Sequence, residues 1–349
     1  MPALAVLTSG GDAPGMNAAI VTAAKVGAAA GWTVLGVRDG YEGLMAGDFT
    51  ELHPAEVGRA WKDGGTFLGS ARSAAFRTPE GRARAAERLA GVDALLVVGG
   101  NGSLTGAHLL AVEHGVRVVG VPASIDHDIA CTGTAIGVDT ALNTIVEAAD
   151  RISDTARSHR RVFIMEVMGR ECGYLAMASA IAAAADAVAF REQGKDEAAL
   201  VADLHAAVRR AFGGGRRRVL AIKAEGVAVP TARLVERLRE RLDADGLSVD
   251  VRGIVLGHLV RGGAPSFRDR LVAGRLTHAA VRAAMDGAGD VMVGWEPPDP
   301  DGRETVDPKV RLFGLETVLD RTRALLDGTH PVTRARVRML QAVQGILPL

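Results

Sequence analysis

The stretch Pro122-Ala123-Ser124-Ile125-Asp126-His127-Asp128 places polar side chains at every second position. In an extended chain Ser124, Asp126 and Asp128 share one side, with His127 on the other. A carboxylate so placed can take a proton from a substrate hydroxyl, or help hold Mg²⁺ through water. His127 reads as a packing or surface histidine rather than a metal ligand. Two other segments bring paired glycines to the start of a helical pattern: Thr8-Ser9-Gly10-Gly11-Asp12-Ala13-Pro14-Gly15-Met16-Asn17 and Val97-Val98-Gly99-Gly100-Asn101-Gly102-Ser103-Leu104-Thr105-Gly106. Glycines there let backbone N–H groups approach a phosphate, and a helix N-terminus adds favourable partial charge. Pro14 suits a first helical turn and Ser103 is a candidate cap. The first segment is neither GxGxxG nor GxxxxGK(S/T), and alone it reads equally as a structural turn. Two such turns on neighbouring strands would line one crevice at the carboxyl ends of a sheet, which favours a phosphate site.

Arginines make a third group. Ser158-His159-Arg160-Arg161 precedes an apolar run and Met168-Gly169-Arg170 follows it, while Arg252, His258 and Arg261-Gly262-Gly263 come later. Forked guanidiniums are the usual means of gripping phosphate oxygens. Singly, each reads as solvated surface charge; several at strand ends suggest a phosphorylated small molecule.

Short apolar runs must position these residues: Leu4–Leu7, Thr33–Val37, Ala94–Val98, Val116–Val121, Val162–Val167, Val219–Ile222 and Ile254–Leu256. Each is too short for a buried helix, and continuous apolarity suits strands covered on both faces of a parallel sheet. Helical patterns lie between them. Thr144, Ile145, Ala148 and Ile152 keep one face, as do Leu234, Leu238 and Leu242 in a segment ending near Gly246. The alternation predicts an α/β fold with helices on both sides of the sheet. Gly213-Gly214-Gly215-Arg216-Arg217-Arg218 reads as a flexible turn with a solvated charge cap, and Pro297-Pro298-Asp299-Pro300-Asp301-Gly302 as a surface loop.

The whole composition agrees. A length of 349 residues suggests about two domains by the usual prior, and 48% apolar with 23% charged residues is globular, not disordered. Lys plus Arg and Asp plus Glu number 41 each. A zero balance argues against bulk capture of nucleic acid or anionic membrane, though not against a local basic pocket. Cys131 and Cys172 cannot build a disulfide framework, and no Cys/His spacing reads as a zinc site. The first residues lack the pattern of a signal peptide, and Leu175–Phe190, mostly alanine and interrupted by Asp186, fails as a membrane span. A cytoplasmic, soluble protein is expected.

These residues resemble the 6-phosphofructokinase family, of the bacterial ATP-dependent type, over roughly residues 4–285. The likeness is strongest at Leu7–Ile20, Gly64–Arg77, Val97–Gly106, Pro122–Asp128, Arg161–Gly173 and Val255–Pro265. It implies two interleaved Rossmann-like three-layer domains with mostly parallel sheets and the active site between them. The larger, nucleotide-binding domain would comprise residues 1–136 and 253–305, and the smaller, sugar-phosphate-binding domain 137–252 and 306–349. Gly10, Gly11, Tyr41, Arg72, Ser73, Arg77, Gly102, Ser103 and Gly106 match positions at or beside the ATP phosphates. Asp126 matches the general base that takes the proton from the C1 hydroxyl of fructose 6-phosphate. Ser124 and Asp128 match its supporting neighbours, with Ser124 in place of a threonine. Met168, Gly169, Arg170, Glu225 and His258 match the sugar-binding set, and Arg170 also matches an arginine at the transferring phosphoryl group. Arg161 and Arg252 match arginines that reach the 6-phosphate from a neighbouring subunit and Arg261 one from the same subunit, which implies a homotetramer or dimer. Pyrophosphate-using relatives carry an acidic residue where this chain has Gly102 and a lysine where it has Ala123, so ATP is the expected donor.

The chain departs from the family at several points. Asn101 stands where an aspartate helps hold Mg²⁺; the metal would be left to Asn101 and, indirectly, Asp128 or Asp12. His127 replaces an asparagine, and Cys131 and Gly133 a glycine and an aspartate. Val21 and Ser153 replace effector-site arginines, while Lys25 keeps a positive charge. Three readings follow: an ATP-dependent kinase of fructose 6-phosphate or a close ketose phosphate; a repurposed kinase for another sugar phosphate, such as a heptulose phosphate; or a weakly active or non-catalytic regulatory paralogue.

Overall fold

The computed structural model describes residues 1–342. Its strands are β1 (Ala3–Ser9), β2 (Thr33–Val37), β3 (Phe49–Glu51), β4 (Ala94–Gly99), β5 (Val118–Pro122), β6 (Val162–Val167), β7 (Ala187–Ala189), β8 (Val219–Ala224), β9 (Val251–Val255), β10 (Val291–Trp295), β11 (Arg303–Glu304) and β12 (Val310–Gly314). The helices are α1 (Met16–Ala29), α2 (Gly40–Ala46), α3 (Pro54–Val57), α4 (Pro79–Arg88), α5 (Asn101–His114), α6 (Val138–His159), α7 (Tyr174–Ala182), α8 (Glu197–Gly213), α9 (Thr231–Ala244), α10 (Phe267–Met285), α11 (Leu315–Leu326) and α12 (Pro331–Ala342). All seven apolar runs overlap strands, with Val116–Val121 starting two residues ahead of β5. The run at Ile254–Leu256 catches only the end of β9, because that strand lies at a sheet edge and exposes Arg252, Gly253 and Val255. An eighth apolar run, Val291-Met292-Val293-Gly294-Trp295, forms β10.

Two compact units divide the chain. The first comprises Met1–Ile125, Ile129–Thr140 and Arg261–Leu325; the second comprises Asp126–Asp128, Ala141–Val260 and the remainder from Leu326. These bounds differ from the expected domains: residues 137–140 and 306–325 fall in the first unit, and residues 126–128 and 253–260 in the second. Residues 306–325 join the first unit because β12 pairs antiparallel with β10. Residues 137–140 do so because the buried Asp269 carboxylate of α10 accepts N–H bonds from Gly137 and Thr140 at 2.8 and 2.7 Å.

The first unit holds an eight-stranded sheet in the order β11-β12-β10-β5-β4-β1-β2-β3. Its centre is parallel, and the antiparallel pairs β2–β3, β10–β12 and β11–β12 lie toward its edges. The second unit holds a parallel four-stranded sheet, β7-β8-β6-β9. There α9 packs Leu234, Leu238 and Leu242, one per turn and all buried, against β-strand aliphatics such as Val162, Ile164 and Val219. Each such leucine contributes about 1.5–3 kcal/mol of burial. On α6 the buried stripe is Ala141, Ile145, Ala149, Ser153 and Ala156, so Thr144, Ala148 and Ile152 flank it half-buried.

The triple-glycine stretch is not a solvated cap. Arg216 reaches the buried Asp186 at 2.7 Å and Arg218 approaches it at 3.8 Å. Burial pushes that carboxyl up, and the Leu220 N–H and these guanidiniums pull against it. Among the described residues, no helix is long and apolar enough to cross a membrane.

Candidate active site

On the first unit, chain order reverses across β1: β2 lies on one side of it and β4 on the other. Parallel pairing sets Ser9 opposite Gly99, so the two glycine turns emerge side by side at the carboxyl edge, where doubly wound sheets bind ligands. Both helices that follow start open. The N-caps of α1 and α5 are Gly15 and Gly100, without a side-chain cap and with no acidic residue in the first turn. The Met16 N–H donates to the Ala13 carbonyl and the Ser103 N–H to that of Gly100, but no side-chain charge offsets the positive dipole end of either helix, an arrangement that suits an anion. Ser103 is not a cap; it lies inside the first turn of α5, and Pro14 precedes α1 rather than starting it. Close approach explains one glycine directly: a Cβ on Gly99 would sit 2.6 Å from the Ser9 carbonyl.

Segment 63–77 is tied to the first turn by Thr8, Asn17 and Ser70. Ser70 donates to the Gly10 carbonyl at 2.6 Å, and Thr8 donates to that of Gly69 at 2.8 Å. Asn17 donates to the carbonyls of Asp63 and Gly64 and accepts the Phe67 N–H. Arg72 and Arg77 are thereby held exposed, while the Ser73 hydroxyl accepts the Phe76 N–H. Tyr41 is buried, stacks on Phe76 at 3.8 Å between ring centroids, and donates its hydroxyl to the Ser103 carbonyl at 2.6 Å. Burial pushes its phenol far above the ordinary range. Gly106 makes room for both rings, since a Cβ there would lie 2.8 Å from Phe76. Tyr41 and Gly106 thus pack together against the start of α5. Gly102 is exposed, and a Cβ added there would meet nothing within 4 Å. Asn101 is half-buried at the first position of α5. Arg261 lies on this unit, its Nη1 donating to the Asp12 carbonyl at 3.3 Å and occupying the space a Cβ on Gly11 would need.

On the second unit, the loops after β6, β8 and β9 gather Met168-Gly169-Arg170, Glu225 and His258 at one edge of the sheet. Glu225 Oε1 accepts the N–H groups of Gly169 at 3.1 Å and Arg170 at 2.6 Å. Arg170 Nε lies 3.4 Å from Asp126 Oδ2, whose side chain is 5% exposed. Extended alternation does not govern the aspartates: β5 stops at Pro122, and His127 turns to a left-handed φ of 55°. His127 is buried, its ring 4.1 Å from that of Tyr174 and its carbonyl accepting from the Cys172 thiol at 3.5 Å. These contacts place Asp126–Asp128 with the second unit, while Ser124 stays with the first.

Arg161 and Arg252 are not with that set. Arg161 precedes β6 and Arg252 is the second residue of β9, so both lie at the amino edge of the sheet. They donate to Asp250 at 2.8 and 2.9 Å. Burial pushes the Asp250 carboxyl up, but the Arg252 and Arg161 guanidiniums outweigh it and hold it below the ordinary range. Among the described residues no three His, Cys, Asp or Glu side chains gather to cage a metal.

Comparison with known proteins agrees with this geometry. The family model described as Phosphofructokinase matches residues 3–284. The ATP-dependent 6-phosphofructokinase 1 of Thermus thermophilus is 42% identical over 347 residues, covering 98% of this chain and 99% of that protein. The ATP-dependent 6-phosphofructokinase of Thermotoga neapolitana is 44% identical over 295 residues, covering 84% and 89%. The solved phosphofructokinase of Saccharomyces cerevisiae superposes with a TM-score of 0.85 at 32% identity, over 97% of this chain and 48% of that one, so this chain spans about half the yeast chain. A pyrophosphate-dependent phosphofructokinase from Nitrosospira multiformis shares the fold at a TM-score of 0.77 and 20% identity, over 90% and 84%. A match that runs through the glycine turns, the aspartate stretch and the Met168–Arg170 loop alike has one consequence: the chain belongs to the phosphofructokinase family.

Proposed function

We propose that the chain transfers the γ-phosphoryl group of ATP to the C1 hydroxyl of fructose 6-phosphate or a close ketose phosphate. The observation that carries this reading is the buried Asp126 carboxylate beside the Arg170 guanidinium. Asp126 would accept the hydroxyl proton as the sugar oxygen bonds to phosphorus and the bond to the ADP oxygen breaks. Arg170, half exposed, would offset charge on the transferring group. Asp128 and Ser124 would support Asp126.

The donor would lie on the first unit, its phosphates facing the open starts of α1 and α5 with Gly10, Gly11, Gly102 and Ser103, and with Arg72, Ser73 and Arg77 beside them. Mg²⁺ would arrive on the phosphates and neutralise their charge; Asn101 would offer an amide oxygen and Asp128 a water-mediated contact. Met168, Gly169, Arg170, Glu225 and His258 would hold the sugar. Arg261 would serve the sugar phosphate only after leaving Gly11. Arg161 and Arg252, at the opposite edge of their own sheet, suit a neighbouring copy's site. An oligomer, tetramer or dimer, is supported by β9, an edge strand that leaves Val255 62% and the following Leu259 63% exposed.

Coupled ADP-release assays with ATP or pyrophosphate against a panel of hexulose and heptulose phosphates test the reading. ATP with a ketose 6-phosphate is the expected active pair. Asp126→Asn should cut kcat by about 10²–10⁴-fold with acceptor binding retained; unchanged kcat refutes the assignment. Asn101 favours a second reading, binding with little turnover, which acceptor binding without activity toward any panel member would establish.

A further inference from the structure

Lys223 lies within β8, a strand buried at every position, and is itself 2% exposed. A buried ammonium is costly unless paired and hydrogen-bonded, so a strand that served packing alone would carry an aliphatic residue there. Lys223 Nζ donates to Glu166 Oε2 at 3.0 Å and to the Ala224 carbonyl at 3.3 Å. Glu166 is its register partner on β6. The same carboxylate oxygen accepts from the hydroxyl of Thr231, the first residue of α9, and the Glu166 carbonyl accepts the Leu256 N–H at the end of β9. Three strands and one helix start are thus fixed at one level, just beneath the loops that carry the sugar-binding set.

Contact continues upward without a gap. The Ala224 carbonyl held by Lys223 belongs to the same peptide group as the Glu225 N–H, which donates to the Val167 carbonyl at 2.9 Å. Glu225 in turn holds the Gly169 and Arg170 N–H groups. Gly226 presses so closely that a Cβ there would lie 2.1 Å from the Arg170 carbonyl. Arg170 is kept at a left-handed φ of 47°, a conformation that persists only where its surroundings impose it.

We propose that Lys223 is a positioning residue for the acceptor: it fixes the Ala224–Glu225 peptide, hence the Glu225 carboxylate, hence the Gly169–Arg170 backbone and the guanidinium beside Asp126. This rests on the acceptor-site reading above. Lys223→Met removes the ammonium and keeps the apolar stem; Lys223→Met with Glu166→Gln also removes the carboxylate left unpaired, and so preserves folding. In both variants the acceptor KM and the dissociation constant of fructose 6-phosphate, read by calorimetry on the full chain, should rise about tenfold or more, because small displacements of binding groups are costly. The KM for ATP should stay within about twofold. Acceptor constants unchanged in the double variant, or an equal rise in both KM values, overturn the proposal while leaving the function standing. An unaltered chain that neither binds nor turns over any ketose phosphate overturns the function, and the role of Lys223 with it.

Discussion

Gly102 offers a test in which stability and nucleotide binding move in opposite directions. It is the second residue of α5, has no positive φ, is exposed, and leaves a side chain free space. Gly102→Asp should therefore fold without strain. Replacing a helical glycine by aspartate contributes about 0.3 kcal/mol of propensity. A carboxylate at an open helix N-terminus adds about 0.3–1 kcal/mol. The variant should be more stable by about 0.6–1.3 kcal/mol, a rise of about 1–3 °C in Tm. The same carboxylate would face the nucleotide's α-phosphate. Two unit charges about 6 Å apart repel by about 0.7 kcal/mol in water and about 2.8 kcal/mol at an effective dielectric constant of about 20. That corresponds to an increase in KM for ATP of about 3-fold to 100-fold. The assay is steady-state ADP release at low and high salt, with Gly102→Asn as the neutral control. The penalty of Gly102→Asp should shrink with salt, and the acceptor KM should not move. Unchanged KM for ATP, or an equal effect from the asparagine variant, refutes the argument that donor phosphates lie over the start of α5.

Two further outcomes follow from named contacts. Asn101→Asp supplies a carboxylate at the first position of α5 and should raise kcat about 3- to 10-fold while sharpening the Mg²⁺ titration; an unchanged titration means another group already serves the metal. Asp307 accepts two N–H bonds from Arg275, each 2.6 Å, and that guanidinium outweighs burial to hold its carboxyl below the ordinary range. A depressed acid stabilises the fold above its unfolded value, about pH 4, and that contribution is lost as pH falls through the folded value. Asp307→Asn should thus cost about 2 kcal/mol at pH 7 and flatten the loss of stability below about pH 5. Urea midpoints at both pH values check it, and equal acid dependence in the two proteins would refute it.

Much of the fold is legible because buried parallel strands announce themselves locally. Val162–Val167 and Thr33–Val37 coincide with strands residue for residue. Edges are harder: β9 mixes Arg252 and Gly253 into its length because solvent covers one side, and the two-residue β11 carries no apolar signal. Lys223 follows the run Val219–Ile222 without marking itself as anything but a strand-end charge; its burial and its role needed Glu166, 57 residues away. The alternation in Ser124–Asp128 misled, since it presumes extended chain and the left-handed turn at His127 breaks it. Histidine tolerates that left-handed turn better than most residues, which gives a local reason for its presence at 127.

The sequence alone determined the local pieces: strands from continuous apolarity, open helix starts from glycines, and the motifs whose order marks the family. Tertiary structure decided which pieces meet. Crossover connections set Ser9 beside Gly99 and Val167 beside Ala224, turned Arg161 and Arg252 to the far edge of their sheet, and laid Arg261 against Gly11. Such partners are separated by tens to hundreds of residues, and hydrophobic patterning, whose period spans only a few residues, carries no record of them.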